Sequence, residues 1–254
     1  MGVETSQVHS IYGMYKIDKD LELKLPGINI TFQKHSQNDF SYYRKDSQND
    51  IVEKKIKSNG LLEIYLCPIL PLNLPAKKTN DLIFLRLDKQ VIVPPKSNSE
   101  IKIQFPIEIG IFVKYENSLD MIDVVTCEPM HSRFALYGTP ETGKLCMYSK
   151  VSQIDDKNPS PYAWAIMKII IKNELENAAK IGRVVFSLAS HQVYYKQDSF
   201  ESHIDDLEAR IFSDVAGEQI ELTQIDFSKK NDQWNLSPPK ANPSTTFIMD
   251  KGFD

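Results

Sequence analysis

Apolar and polar residues alternate in short runs along most of the chain, the period of strands that bury one face. Leu21, Leu23 and Leu25 stand against Glu22 and Lys24, and Ile28, Ile30 and Phe32 repeat the pattern after Pro26-Gly27, which predicts a hairpin. Residues 35–50 are polar apart from Phe40, Tyr42 and Tyr43, and read as a surface loop holding an aromatic strand fragment. Strands follow at 61–66, 82–87, 90–93 and 101–105. Pro68, Pro71 and Pro75 keep the segment after the first of these out of a central sheet position, because proline has no ladder donor. Beyond Pro106 the run Ile107, Ile109, Ile111, Phe112 and Val113 switches to deeper burial. Further strands at 121–125, 133–137 and 145–148 are short and turn-bounded. A spacing of about ten residues between strands is what sandwiches and antiparallel barrels produce.

Two segments carry competing periods. Pro161 and Gly182 bracket a run that reads as a helix through Trp164, Ile171, Leu175 and Ala178, or as two strands through Ala163, Ala165, Met167, Ile169 and Ile171. The β-branched run Ile169-Ile170-Ile171 favours two strands. Residues 203–212 read as a short helix, with Ile204, Leu207, Ile211 and Phe212 near one side and Asp205, Asp206 and Glu208 at the end where the helix dipole favours acids. The expected architecture is therefore all-β, in two β-sandwich-like parts with a short C-terminal helix. The Pro-Pro-Lys-Ser-Asn-Ser-Glu stretch at 94–100 has linker composition, and places an N-terminal β-rich domain at 1–96 and a C-terminal one at 97–254.

Composition narrows the function classes. A chain of 254 residues, 41% hydrophobic, buries enough surface to stand without disulfides or metals. Its three cysteines form no close pair, which points to a reducing compartment and to the cytoplasm. The formal charge of -4, with lysines spread along the chain, lends no support to a nucleic-acid partner. No apolar run is long enough for a membrane helix, so no membrane insertion is expected.

One string spells out a reaction. Residues 138–145 read Gly-Thr-Pro-Glu-Thr-Gly-Lys-Leu, with the two glycines and the lysine of a phosphate loop but Leu145 at the position of the metal-binding hydroxyl. A phosphate loop runs from a strand into a helix, whereas the residues after Gly143 alternate as a strand. Residues 138–144 are thus read as the loop of a β-hairpin and not as a nucleotide site. Cys127 and His131 are separated by Pro129 and lack further ligands, and no metal or other cofactor is expected. No Gly-x-Ser-x-Gly elbow surrounds Ser132, Ser187 or Ser190, and Cys67 and Cys146 look like packed thiols. Tyr137, Tyr148, Trp164, Tyr194 and Tyr195 are either groove-lining or cross-strand packing groups. Arg133, Tyr137, Tyr148 and Arg183 are the candidate ligand-binding residues, and no catalytic residue is assigned.

The run from Arg133 to Tyr148, with the preceding Phe105-Pro106-Ile107-Glu108-Ile109-Gly110-Ile111-Phe112, resembles an uncharacterised archaeal family, domain of unknown function 432. The resemblance implies an archaeal cytoplasmic protein, and no activity or catalytic residue comes with it. The function expected from the residues is a non-enzymatic binding or interaction module, with self-association or a protein partner engaged through exposed strand edges. The alternative is a hydrolase whose polar site is assembled across strands near Arg133, Tyr148 and Arg183.

Overall fold

The computed structural model describes residues 10–71, 81–116, 118–127, 134–154, 161–215, 217–227 and 234–238. Among these residues the chain is all-β, with several sheets and no helix. It enters as β1 (Gly13–Ile17) and runs a meander of β2 (Leu21–Leu25), β3 (Ile28–Lys34), β4 (Asp39–Asp46) and β5 (Ile51–Lys57). It then returns as β6 (Leu62–Ile69), antiparallel to β1. The expected hairpin at Pro26-Gly27 is present, with Gly27 at φ 73° where a side chain would be strained. The aromatic strand fragment expected within 35–50 is part of a longer strand, β4, in which Phe40 and Tyr42 alternate inward and are buried.

Next come β7 (Leu82–Val93) and β8 (Ser97–Pro106), which belong to two other sheets. The chain then comes back as β9 (Glu108–Tyr115) beside β6, and β10 (Ser118–Val125) completes the order β1-β6-β9-β10. The crossing point is Ile107, whose N–H donates to the carbonyl of Ala163 at 3.1 Å. Ile30, Phe32, Phe40 and Tyr42 of the meander join Leu62, Ile64, Ile111 and Val113 in one buried apolar cluster.

The remaining strands are β11 (Phe134–Tyr137), β12 (Lys144–Val151), β13 (Trp164–Asn173), β14 (Ala179–Ser187), β15 (Val193–Tyr195), β16 (Ser202–Ile204), β17 (Asp206–Asp214), β18 (Gly217–Ile225) and β19 (Asn235–Leu236). One sheet has the order β11-β12-β7-β14, with β12 parallel to β7 and the other neighbours antiparallel. The last sheet is centred on β13, which pairs with β8 on one side and with β16 and β17 on the other. A second apolar cluster joins these two sheets through Ile83, Leu85, Phe105, Met167, Ile171, Val184, Phe186 and Leu207. The segment 161–182 therefore contributes two strands, as its β-branched run suggested.

The helix expected at 203–212 is absent: these residues are β16 and most of β17. A spacing of four keeps two residues on one face of a strand as well as of a helix. Leu207 and Ile211 alone are therefore ambiguous, and the burial of Ala209 between them is what marks the period of two. Asp205, read as a helix-start acid, is buried at the break between β16 and β17. It accepts hydrogen bonds from the N–H groups of Gln192 (2.9 Å) and Phe227 (3.0 Å) and from Gln224 Nε2 (2.7 Å).

A tyrosine of the last sheet reaches into the first cluster. Tyr195, on the last sheet, packs edge-on against Tyr12 at 5.4 Å between ring centroids, and its hydroxyl bonds that of Tyr65 on β6. Burial holds the Tyr195 hydroxyl up at about 12, so this contact is neutral at every physiological pH.

Candidate functional site

In β7 the residues Ile83, Leu85 and Leu87 point into the core, which leaves Phe84 and Arg86 on the outer face. The same alternation turns Tyr148 and Lys150 of β12 outward and, in β14, Arg183 and Val185. Register then decides what stands beside what. Lys150 lies opposite Arg86, and Arg86 lies opposite Arg183, so three cations form one rung across three adjacent strands. The next rung is Tyr148, Phe84 and Val185, with the Tyr148 and Phe84 rings 5.8 Å apart and inclined by 35°.

Directly opposed like charges weaken a sheet. On the sheet centred on β13 two outward cations are matched: Lys172 meets Glu208 at 2.8 Å, and Arg210 forks onto Glu174 at 2.8 and 2.9 Å. Among the described residues, no carboxylate forms an ion pair with Lys150, Arg86 or Arg183.

A cleft of about 870 Å³ opens over this face. Phe84, Tyr148, Arg86 and Arg183 line it together with Tyr137, Lys180 and Gln90, and the lining continues past β14 to Ile220 and Leu222 of β18. Among the described residues no carboxylate lines it. Gln90 arrives through an irregularity: between Ile181 and Arg183 the chain advances by Gly182 alone, while β7 spans residues 87–90 between Arg86 and Val91, with Leu87 still buried and paired to Val151 and residues 88–90 exposed as a bulge. Gln153 Nε2 holds the bulge by donating to the Lys89 carbonyl at 3.1 Å.

Tyr137 owes its place to the glycine-lysine string. Residues 138–143 are the loop of the β11–β12 hairpin, with Tyr137 paired to Lys144 and the Gly143 N–H donating to the Thr139 carbonyl at 2.7 Å. Gly138 supplies the positive φ, 117°. Gly143 is required for a different reason, since a Cβ there would stand 2.5 Å from the Thr139 carbonyl oxygen and 2.8 Å from the Leu136 side chain. The strand leaving this loop carries no helix N-terminus to aim at a phosphate.

Of the four residues singled out from sequence, Tyr137, Tyr148 and Arg183 line this one cleft, and Arg133 lies outside the described residues. His131 also lies outside them. The other aromatic residues considered go elsewhere: Tyr194 and Tyr195 are buried, and Trp164 is in β13. Phe84, Arg86, Lys150 and Lys180 escaped notice, yet a signal was present. Phe84-Leu85-Arg86 and Tyr148-Ser149-Lys150 repeat aromatic, inward residue, cation in the parallel pair, and in the antiparallel neighbour Arg183-Val184-Val185 runs cation, inward residue, outward valine.

Elsewhere, ionisable groups are shifted by burial. Burial drives His203 down to about 4, and it stacks on Phe227 with 4.6 Å between centroids, with Trp234 edge-on at 4.7 Å. Burial pushes the Cys67 and Cys146 thiols up, the reverse of activation for attack. Among the described residues no group of three or more His, Cys, Asp or Glu side chains is placed to hold a metal ion. No helix among them is long and apolar enough to cross a membrane.

The site thus defines an all-β protein with a cationic and aromatic sheet face. The chain belongs to the family described as protein of unknown function (DUF432), whose model matches residues 11–250. No curated protein and no solved structure matches the chain.

Proposed function

We propose that the chain consists of two sandwich-like units and acts as a non-enzymatic binding module, with an anionic ligand held in the cleft over β12, β7 and β14. The two units follow the two apolar clusters. The first gathers β1–β6 with β9 and β10, and the second gathers β7, β8 and most of the chain from β11 onward, while Tyr162 and Tyr195 reach into the first; the division so drawn falls at Ile107 and at the segment between β6 and β7.

The observation that carries the functional reading is the rung Lys150–Arg86–Arg183. Three like charges in register lower the stability of a sheet, and a bound anion reverses the sign of that contribution. Guanidinium forks suit phosphate and carboxylate oxygens, which they grip with two parallel hydrogen bonds. The half-buried rings of Phe84 and Tyr148 beside them add an apolar wall, so the site suits a ligand with a charged end and a flat or apolar one.

Calorimetric titration of the full chain with pyrophosphate at low salt tests this. Saturable binding is expected, weakened roughly tenfold or more by the pair Arg86→Gln and Arg183→Gln, since a hydrogen bond to a charged group is worth about 1.5–3 kcal/mol. Lys16→Gln, remote from the cleft and paired with Glu63, is expected to leave it unchanged. Heats that do not saturate, or equal binding by the wild type and the arginine pair, would overturn the proposal. Release of phosphate during the titration would replace it with the hydrolytic reading.

A further inference from the structure

From the spacing and chemistry of the two rungs we infer that the cleft recognises a nucleotide unit, its phosphate on Arg86 and Arg183, with Lys150 beyond the cleft lining at the end of the same rung, and its base against Tyr148 and Phe84. This rests on the reading of the cleft as an anion site and adds the identity of the other end of the ligand.

Along a strand, successive residues on one face are about 6.6 Å apart, so the aromatic rung runs parallel to the cationic one at that distance. A nucleotide places its base and its phosphate at either end of one sugar, a separation of the same order. The Phe84 and Tyr148 rings are closer to coplanar than to edge-on, and both are half-buried, which gives them fixed positions while part of each stays open to the cleft. Aromatic side chains on a sheet face are the usual platform for stacked bases, and flanking cations track the phosphates. A third ring, Tyr137, and a third side-chain type, the amide of Gln90, stand at the borders of the same cleft. Tyr137 extends the surface for stacking, and Gln90 brings both a donor and an acceptor for a base edge.

The chain carries a net charge of -4, so long-range attraction does not draw nucleic acid to it and affinity must come from these local contacts. An acidic peptide would satisfy the cations but would leave the aromatic rung without a flat partner. The same nucleotide chemistry arrives either as a free nucleotide or as a unit of a single strand, and an open sheet face admits both.

The test uses the full chain with three probes: ribose 5-phosphate, adenosine monophosphate, and a single-stranded oligodeoxyadenylate of about 12 nucleotides. Adenosine monophosphate is expected to bind roughly tenfold tighter than ribose 5-phosphate, as one stacked base provides. Tyr148→Leu is expected to erase that difference while leaving ribose 5-phosphate binding unchanged, and Phe84→Leu provides the same reading should the first variant fold poorly. If the oligonucleotide binds tighter than the mononucleotide, the source is a strand. Its affinity should then fall with salt at a logarithmic slope of about -2 for three cations, reduced by about 0.7 in Lys150→Gln. Equal affinity per site assigns a free nucleotide. Equal binding of ribose 5-phosphate and adenosine monophosphate, with both still abolished in the arginine variants, overturns the nucleotide inference and leaves the anion site standing. Displacement of the oligonucleotide by polyglutamate at matched charge, undiminished in Tyr148→Leu, overturns it in favour of an acidic protein. Failure of all three probes and of pyrophosphate overturns both readings.

Discussion

Arg44 and Arg86 are both arginines within β-strands, and the structure treats them in opposite ways. Arg44 on β4 donates through Nε to Asp123 at 2.7 Å and sits 3.7 Å from Asp46, while the Tyr42 hydroxyl donates to the same Asp123 oxygen at 2.6 Å. The side chains of Arg44 and Asp123 are only 15% and 11% exposed, so this is charge taken out of water and matched within the fold. Arg86 on β7 is exposed, faces Lys150 and Arg183, and forms no ion pair with a carboxylate among the described residues. A charge matched by its own chain serves the fold. The mismatched set on the second sheet pair is the observation on which the proposed site rests.

The contrast is sharpened most strongly by removing Asp123. Asp123→Ala leaves Arg44 half-desolvated and takes the acceptor from Tyr42, and a loss of about 3 kcal/mol is expected in urea unfolding. A loss within about 0.5 kcal/mol, the usual range for a surface change, would mean that the pair is solvated and the comparison empty.

A smaller effect tests a group that the second region buries uncharged. Because burial lowers His203 from 6.5 to about 4, the unfolded chain binds its proton first as the pH falls. Stability is therefore full above 6.5 and declines between 6.5 and 4, by about 2 kcal/mol after allowance for partial exposure. His191, also lowered by burial, acts in the same direction. His203→Phe keeps the stack on Phe227 and should flatten most of that decline in melts taken across the window. An unchanged pH profile would show that the imidazole is open to water.

Much of the strand order was readable from alternation, because most strands here bury one face and expose the other. The aromatic fragment at Phe40, Tyr42 and Tyr43 was legible, but its extent was not: Ser41 and Tyr43 flank the inward residues within a polar stretch, and the pairing with β3 reveals the full strand. At 203–212 an even spacing fits helix and strand alike, and the acids that seemed to start a helix include Asp205, whose three donors come from residues 192, 224 and 227. The bulge at 88–90 merges two expected strands into β7, and nothing in the local sequence announces it. The site was half legible. Tyr137, Tyr148 and Arg183 stood out singly, but the rung that unites Arg183 with Arg86 and Lys150 depends on a parallel pairing and an antiparallel one between segments far apart in the chain. Register is long-range information, and one strand's sequence does not contain it.

The smallest effect bears on the central claim most directly. Chemical unfolding of the wild type and of the Arg86→Gln, Arg183→Gln pair, with and without pyrophosphate, measures whether the rung costs the fold stability that an anion restores. Without anion the variant should be more stable, by about 0.5 kcal/mol, because the opposed charges are gone. With pyrophosphate at about 100 times its dissociation constant the wild type should gain about 2.7 kcal/mol, the variant far less, and the order should reverse. If the variant is no more stable without anion and the two proteins shift in parallel when it is added, the rung is neither a burden on the fold nor a binding site, and the account is contradicted.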